Sequence, residues 1–191
     1  MKELRNTIKS VLPELIDTWN KEKLPLLEKV WEQSFKDYFF NRQTQEKTKI
    51  VAPVLDVIFS RLVNEKLSGF VVDEGKGRDY DFNGTKIECK ITLADGNSWT
   101  GNGYPKTPWH IFFRFEIDEH GKLIGSFAAL VDLPKCKSDW SDKKDTANFC
   151  SLKFLLEDLK HLNIISGGYK LNKKYINPTL ESYGQRTLWS A

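Results

Sequence analysis

The sequence predicts a mixed α/β fold of the α+β kind: helices first, then a mostly antiparallel sheet, then a helix and an irregular end. Three observations carry this. Apolar residues recur at three- and four-residue steps up to residue 66. From residue 68 the period falls to two, the spacing of strands with one buried face. Between two of the alternating runs stands Asn83-Gly84, the strongest short-range hairpin signal.

Within residues 3–43, Leu4, Ile8, Leu12, Leu15 and Ile16 mark a helical stripe. A break is expected at Lys23, Leu24 and Pro25. A second stripe then runs through Leu26, Leu27, Val30, Trp31, Phe35, Tyr38 and Phe39, suited to core or to a dimer face. After the polar residues 41–47, Val51, Val54, Leu55, Ile58, Leu62 and Val63 predict a further helix, with Pro53 in its first turn. "SGFVVDEG" reads as a short strand, "RDYDF" and "TKIECKITL" as the arms of the hairpin, and "WHIFFRFEI" and "LIGSFAALVDL" as two more strands. Residues 94–108 and 133–148 read as loops, and "FCSLKFLLEDLKHL" as a helix on its repeating leucines. The expected organisation is a single domain over 1–191: a mainly helical part, 1–66, which includes a dimerisation region, a catalytic sheet core, 68–135, and a helix with an irregular end, 136–191.

The chain has 191 residues, 40% hydrophobic and 29% charged, which suits a domain with a real core rather than a disordered segment. A net charge of +3 permits a nucleic-acid partner without demanding one. Cys89, Cys136 and Cys150 form no CxxC pair, so neither a zinc site nor a disulfide framework is indicated. No stretch reaches 18 apolar residues, and the expectation is a soluble cytoplasmic protein with no membrane partner. His110, His120 and His161 are scattered, without metal-binding spacing.

The chemistry concentrates in the hairpin. With Asn83-Gly84 as its two loop residues, facing positions sum to 167, so Asp79 lies across from Glu88 and Asp81 across from Lys86. Directly opposed residues have Cβ atoms about 5 Å apart, and like charges so placed are destabilising. A divalent cation between Asp79 and Glu88 offsets that cost; Mg²⁺ suits oxygen ligands of this kind, and the Cys89 carbonyl is a further candidate ligand. Lys90, next on the same face, is placed to orient water or to stabilise charge on a phosphate. The competing reading is a solvated charged hairpin. Against it, Ile87, Cys89, Ile91 and Leu93 make the opposite face apolar, as in a strand of a real sheet.

"GRDYDFNGTKIECKIT" resembles the PD-(D/E)xK nuclease motif, with Asp79 as its first acid and Glu88-Cys89-Lys90 as its Glu-x-Lys. Arg78 stands where that family's proline would be. The stretch after it, "TPWHIFFRFEIDEHGKLIGSFAALVDLPK", is similar to small type II restriction endonucleases of the PvuII kind, and the likeness covers roughly residues 70 to 135. It implies a restriction-endonuclease-like core, a mixed sheet flanked by helices, and Mg²⁺-dependent hydrolysis of double-stranded DNA, with Mn²⁺ as a substitute. Asp79 and Glu88 would bind metal and Lys90 would help activate water. Asp81 is the reserve acid if a bulge shifts the register, and Glu46 is a supporting acid from the preceding helix. In the loop, Asn97, Ser98, Trp99, Thr100, Asn102, Tyr104 and Lys106 are candidate DNA contacts. A restriction enzyme would be a homodimer, with a cognate methyltransferase in the same host but not bound to it. The alternatives are a structure-specific repair or junction nuclease of the same fold and a non-catalytic DNA-binding module.

Overall fold

The computed structural model describes residues 1–30, 44–73, 79–93, 99–102, 107–138, 140–142, 149–152, 154–167, 169–171, 174–176 and 188–190. Helix α1 (Lys2–Thr18) buries Leu4, Ile8, Val11, Leu12 and Leu15. The break expected at residues 23–25 is not there. A π turn, Trp19–Lys23, ends with the Leu24 N–H on the Trp19 carbonyl, and residues 24–30 continue as helix past Pro25. The wider turn lets Trp19 Nε1 donate to the Gly121 carbonyl at 3.0 Å. The stripe residues Trp31, Phe35, Tyr38 and Phe39 lie outside the described residues.

Helix α2 (Thr44–Lys66) starts well before Pro53, which therefore sits inside the helix and not in its first turn. Buried Val51, Leu55, Ile58, Phe59, Leu62 and Val63 hold the helix through the proline, since tertiary packing of an apolar face outweighs local propensity.

The main sheet has six strands: β1 (Phe70–Val72), β2 (Tyr80–Phe82), β3 (Thr85–Leu93), β5 (Trp109–Ile117), β6 (Leu123–Asp132) and β9 (Leu162–Ser166), in the order β1-β2-β3-β5-β6-β9. The β3–β5 pair is parallel and the other neighbours are antiparallel, so the sheet is mixed. A parallel pair needs a crossover of a dozen or more residues, usually through a helix. Here residues 94–108 make it, and they contain a strand, β4 (Trp99–Asn102), where a loop was expected. Strand β4 pairs with β8 (Phe149–Leu152), which also pairs with β7 (Ser141–Asp142), forming a small second sheet.

Two cores result. Helices α1 and α2 pack over one face of the main sheet, on Ile87, Ile111, Phe113, Phe115 and Leu130. On the other face Phe112, Phe127, Ala129 and Val131 meet Trp99, Trp140, Leu152 and Phe154.

The helix expected across residues 149–162 is also absent. That segment is β8, a 3₁₀ turn (Leu156–Lys160) and the start of β9. Its leucines fit helical spacing, but Leu162 and Ile164 are buried about an exposed Asn163, the alternation of a strand completing the sheet edge. The 3₁₀ turn is fastened by buried Asp158, whose carboxylate accepts from Lys137 N–H (2.6 Å), Leu155 N–H (2.9 Å), Ser138 N–H (3.3 Å) and the Ser138 hydroxyl. Beyond β9 the end of the chain, for which no pattern was legible, forms a three-stranded antiparallel meander: β10 (Tyr169–Leu171), β11 (Lys174–Ile176) and β12 (Leu188–Ser190).

Burial pushes the Asp158 carboxyl up, but the Ser138 hydroxyl and the three backbone donors outweigh it and hold it below its ordinary 3.8. A carboxyl depressed in the native state stabilises fully above its ordinary value, and that stabilisation is lost as pH falls through the native one. Asp158→Asn should therefore cost about 1–3 kcal/mol at neutral pH. Urea titrations across the acid range should also show a shallower acid loss than in the parent; an unchanged acid limb would exclude Asp158 as its source.

Candidate active site

The turn and the pairs next to it form as the sequence predicts, but Asp79 does not lie across from Glu88 as the register sum implied. Asn83 (φ 51°) and Gly84 (φ 81°) both take the positive φ that a type I′ turn demands. The ladder pairs Tyr80 with Ile87, Asp81 with Lys86 and Phe82 with Thr85, the expected register. Strand β2 ends at Tyr80, and there the backbone departs from the ladder. The Asp79 N–H donates to the Ile87 carbonyl at 3.1 Å, so Asp79 and Tyr80 both sit against Ile87, in the manner of a β-bulge. The Asp79 carboxylate then takes the next edge position itself, accepting the Cys89 N–H at 2.6 Å. The N–H and C=O of a strand residue point to the same side, so the Cys89 carbonyl faces this edge too.

Glu88 is 6% exposed. Its Oε1 pairs with Lys90 Nζ. Its Oε2 is buried with no hydrogen-bond partner among the described residues. Burial pushes Glu88 above its ordinary value, Lys90 opposes that, and the charge of Asp79 adds to it. For Lys90, burial favours the neutral amine, but Glu88 and then Asp79 outweigh it and hold the ammonium protonated. The three motif residues thus share one electrostatic neighbourhood.

Asp81 does not join them. Lys86 bridges it (2.6 Å) to Asp73 (2.7 Å), and its Oδ1 accepts the Gly84 N–H at 2.7 Å. Lys86 holds it below its ordinary value, and it serves the turn.

A different acid comes to the hairpin from α2. The Tyr80 hydroxyl donates to Asp56 Oδ1, and Asp56 feels the Cys89 thiol and the charges of Asp79 and Lys90. Burial raises Asp56 against the pull of that tyrosine. Glu46 was the supporting acid expected from this helix. It lies ten residues earlier, about 15 Å along the axis, where Thr48 accepts from the Leu93 N–H at the far end of β3. The only sequence signal for Asp56 is an acid flanking a buried helical stripe; its meeting with Tyr80 depends on how α2 docks. The Cys89 thiol is pushed well up by burial, with Asp56 and Asp79 adding to it, so it is a neutral packing group rather than a thiolate.

The loop candidates divide. Trp99 is not a surface contact: it is 1% exposed, packs against Phe112, Phe127 and Phe154, and donates Nε1–H to the Phe113 carbonyl at 2.9 Å. Its large apolar area makes it the anchor of the second core. Thr100 is exposed on β4, and Asn102 pairs with Phe149. Asn97, Ser98, Tyr104 and Lys106 lie outside the described residues. His110 is a core residue, stacked on Phe112 with Nε2 accepting from Trp140 Nε1 at 3.2 Å.

Among the described residues no three His, Cys, Asp or Glu side chains gather to hold a metal. Mg²⁺ does not need such a cage, since it is commonly held by one or two carboxylates with waters and phosphates completing its shell. Asp79, the bare Glu88 oxygen and the Cys89 carbonyl are a donor set of that type.

No family model and no curated protein matches the chain. Among solved structures it is similar to XiaF from Streptomyces sp., in complex with FADH2 and glycerol. Identity is 16% and the TM-score 0.25, over 87% of this chain and 51% of that one. The chain spans about half the length of that protein, and at such a TM-score the likeness carries no argument about fold or ligand. Among the described residues no helix is long and apolar enough to cross a membrane.

Lys90→Met should leave Glu88 buried without its countercharge and cost about 3 kcal/mol at neutral pH. A carboxyl raised in the native state stabilises most below its ordinary value, here 4.5, and less as pH rises through the native one. The penalty in this variant should therefore shrink as pH falls toward 4.5. Urea midpoints at acid, neutral and alkaline pH check it; a pH-independent penalty would show that the lysine acts through packing alone.

Proposed function

We propose that the protein is a Mg²⁺-dependent endodeoxyribonuclease of the type II restriction kind, hydrolysing double-stranded DNA on the restriction-endonuclease-like core that its PD-(D/E)xK resemblance implies. The observation that carries the reading is the meeting of Asp79, Glu88 and Lys90 at the end of one hairpin, with a buried Glu88 oxygen left over.

In this reading Asp79, Glu88 and the Cys89 carbonyl hold Mg²⁺, with Mn²⁺ as a substitute. When bound, the cation supplies charge neutralisation at the scissile phosphate and a more acidic water. Glu88 would offer the cation its Oε2 while Oε1 stays paired with Lys90. Lys90, held protonated by its two acidic neighbours, is a donor and not a base. It orients the attacking water and stabilises the charge that grows on the phosphate oxygens. Asp79 is kept in place by the Cys89 N–H, which leaves its second oxygen for the metal. A homodimer would bring one such site to each strand of a palindrome. The protein would act in the cytoplasm beside a cognate methyltransferase.

Unmethylated phage DNA incubated with Mg²⁺ should give discrete fragments, and none in EDTA. Lys90→Ala should lower cleavage at least about 100-fold while duplex binding in EDTA persists. A smear, or cutting confined to branched DNA, would favour a structure-specific nuclease, and binding without cutting a non-catalytic module. Mg²⁺ should also raise the melting temperature of the parent and not of Glu88→Gln; equal shifts would remove Glu88 from the ligand set.

A further inference from the structure

Where β2 ends, two residues oppose one, and the ladder alone no longer fixes the backbone. Asp79 is the extra residue. Its N–H donates to the Ile87 carbonyl at 3.1 Å, its carbonyl accepts the Asp73 N–H at 2.9 Å, and its carboxylate accepts the Cys89 N–H. Its neighbour Tyr80 is the last residue of the ladder, so whatever fixes Tyr80 also fixes where Asp79 departs.

Tyr80 is 1% exposed and is gripped by one turn of α2. Its ring meets Phe59 edge-on at 5.7 Å and lies 4.9 Å from Phe70 on β1. Its hydroxyl donates to Asp56 Oδ1. Asp56 and Phe59 are three residues apart and therefore share a helix face. A tyrosine hydroxyl buried this deeply needs an acceptor. The Asp56 backbone carbonyl, at 3.5 Å, is too far to replace the carboxylate. Tyr80 and Ile87 point to the helix side of the sheet, and by alternation Glu88 and Lys90 point to the other. Asp56 thus stands behind the sheet from Glu88 and is not one of the metal donors.

We propose that Asp56 is a positioning residue for the cleavage site: through the Tyr80 hydroxyl it sets the backbone where β2 ends, and so the placing of the Asp79 oxygen offered to Mg²⁺. The cation at Asp79 rests on the nuclease reading above; the relay rests on the hydrogen bonds and the register. Asp56 contributes an acceptor in the right place rather than its charge. Groups that orient a metal ligand in this way are worth about 10–100-fold in metal affinity or activity.

The test uses the full chain and three variants. Tyr80→Phe removes the hydroxyl and keeps the ring. Asp56→Ala removes the acceptor, and Asp56→Asn keeps an acceptor oxygen without the charge. Amide hydrogen exchange of the metal-free protein is read at the Cys89 N–H, which the Asp79 carboxylate covers. That amide should exchange about tenfold faster in Tyr80→Phe and Asp56→Ala, relative to the amides of β5, which carry any loss of global stability. Asp56→Asn should regain the protection. Mg²⁺ alone, titrated against melting temperature, should bind about tenfold more weakly to the first two variants, with recovery in Asp56→Asn. Their cleavage deficit should close at saturating Mg²⁺. Unchanged Cys89 protection in Tyr80→Phe would overturn the proposal, and so would an Asp56→Asn variant as impaired as Asp56→Ala. If Asp56→Ala does not fold, Tyr80→Phe decides alone. Faster Cys89 exchange in the variants, with no Mg²⁺ binding and no cutting by the parent, would keep the relay and sink the nuclease reading; cutting by the parent with Cys89 protection unchanged in the variants would do the reverse.

Discussion

The two positive-φ residues of the turn, Asn83 and Gly84, decide which side of the sheet receives the charges. They fix the β2–β3 register, and a strand's side chains alternate, so a slip by one residue would send Glu88 and Lys90 into the helix-covered core and bring Ile87 and Cys89 out. That core is lined by Leu55, Phe59 and Phe113, and the acid that reaches it there is Asp56. The register is thus held from both ends: by the turn geometry at one and by the cost of burying an ion pair among aliphatic and aromatic side chains at the other.

The other constraint is where β2 stops. A longer β2 would pair Cys89 with backbone and close the edge. Because the ladder ends at Tyr80, the Cys89 N–H is answered by a carboxylate instead of a carbonyl. A charged group so becomes part of the sheet's hydrogen bonding. Helix α2 braces the same point from the other face, through the Tyr80 hydroxyl on Asp56 and the packing of Phe59 against Tyr80. Moving α2 along its axis would therefore disturb the position of Asp79 without touching it.

The hairpin was legible in the sequence because everything that makes it is local: a two-residue turn and alternation on either side. What was misread depends on partners distant in the chain. The leucines of 152–162 satisfy helical spacing, and only the open edge of β6 makes Leu162 and Ile164 a strand. Trp99 sits in a polar, glycine-rich stretch that reads as exposed, but the parallel β3–β5 pair obliges that stretch to cross a sheet face still lacking cover. Asp56 and Glu46 are equivalent as letters on a helix; the docking of α2 on β3 brings one to Tyr80 and the other to the Leu93 end.

The charge balance at the hairpin gives the last step. Asp79 acts on both Asp56 and Glu88, and Lys90 is the cation that all three acids feel or touch. Burial raises Asp56 and Glu88, and in each case the charge of Asp79 raises it further, so lysine does not neutralise the group. A site in that condition gains from any added positive charge that reaches the acids without displacing the lysine. A hydrated divalent ion meets that need, since it has contact points for the bare Glu88 oxygen and for the Asp79 oxygen not engaged by Cys89. The same deficit opposes a bare phosphate, which would bring more negative charge to three acids. In the proposed nuclease reading, an anionic substrate would be tolerated only together with its cation, and metal binding and substrate binding would be coupled steps at this edge.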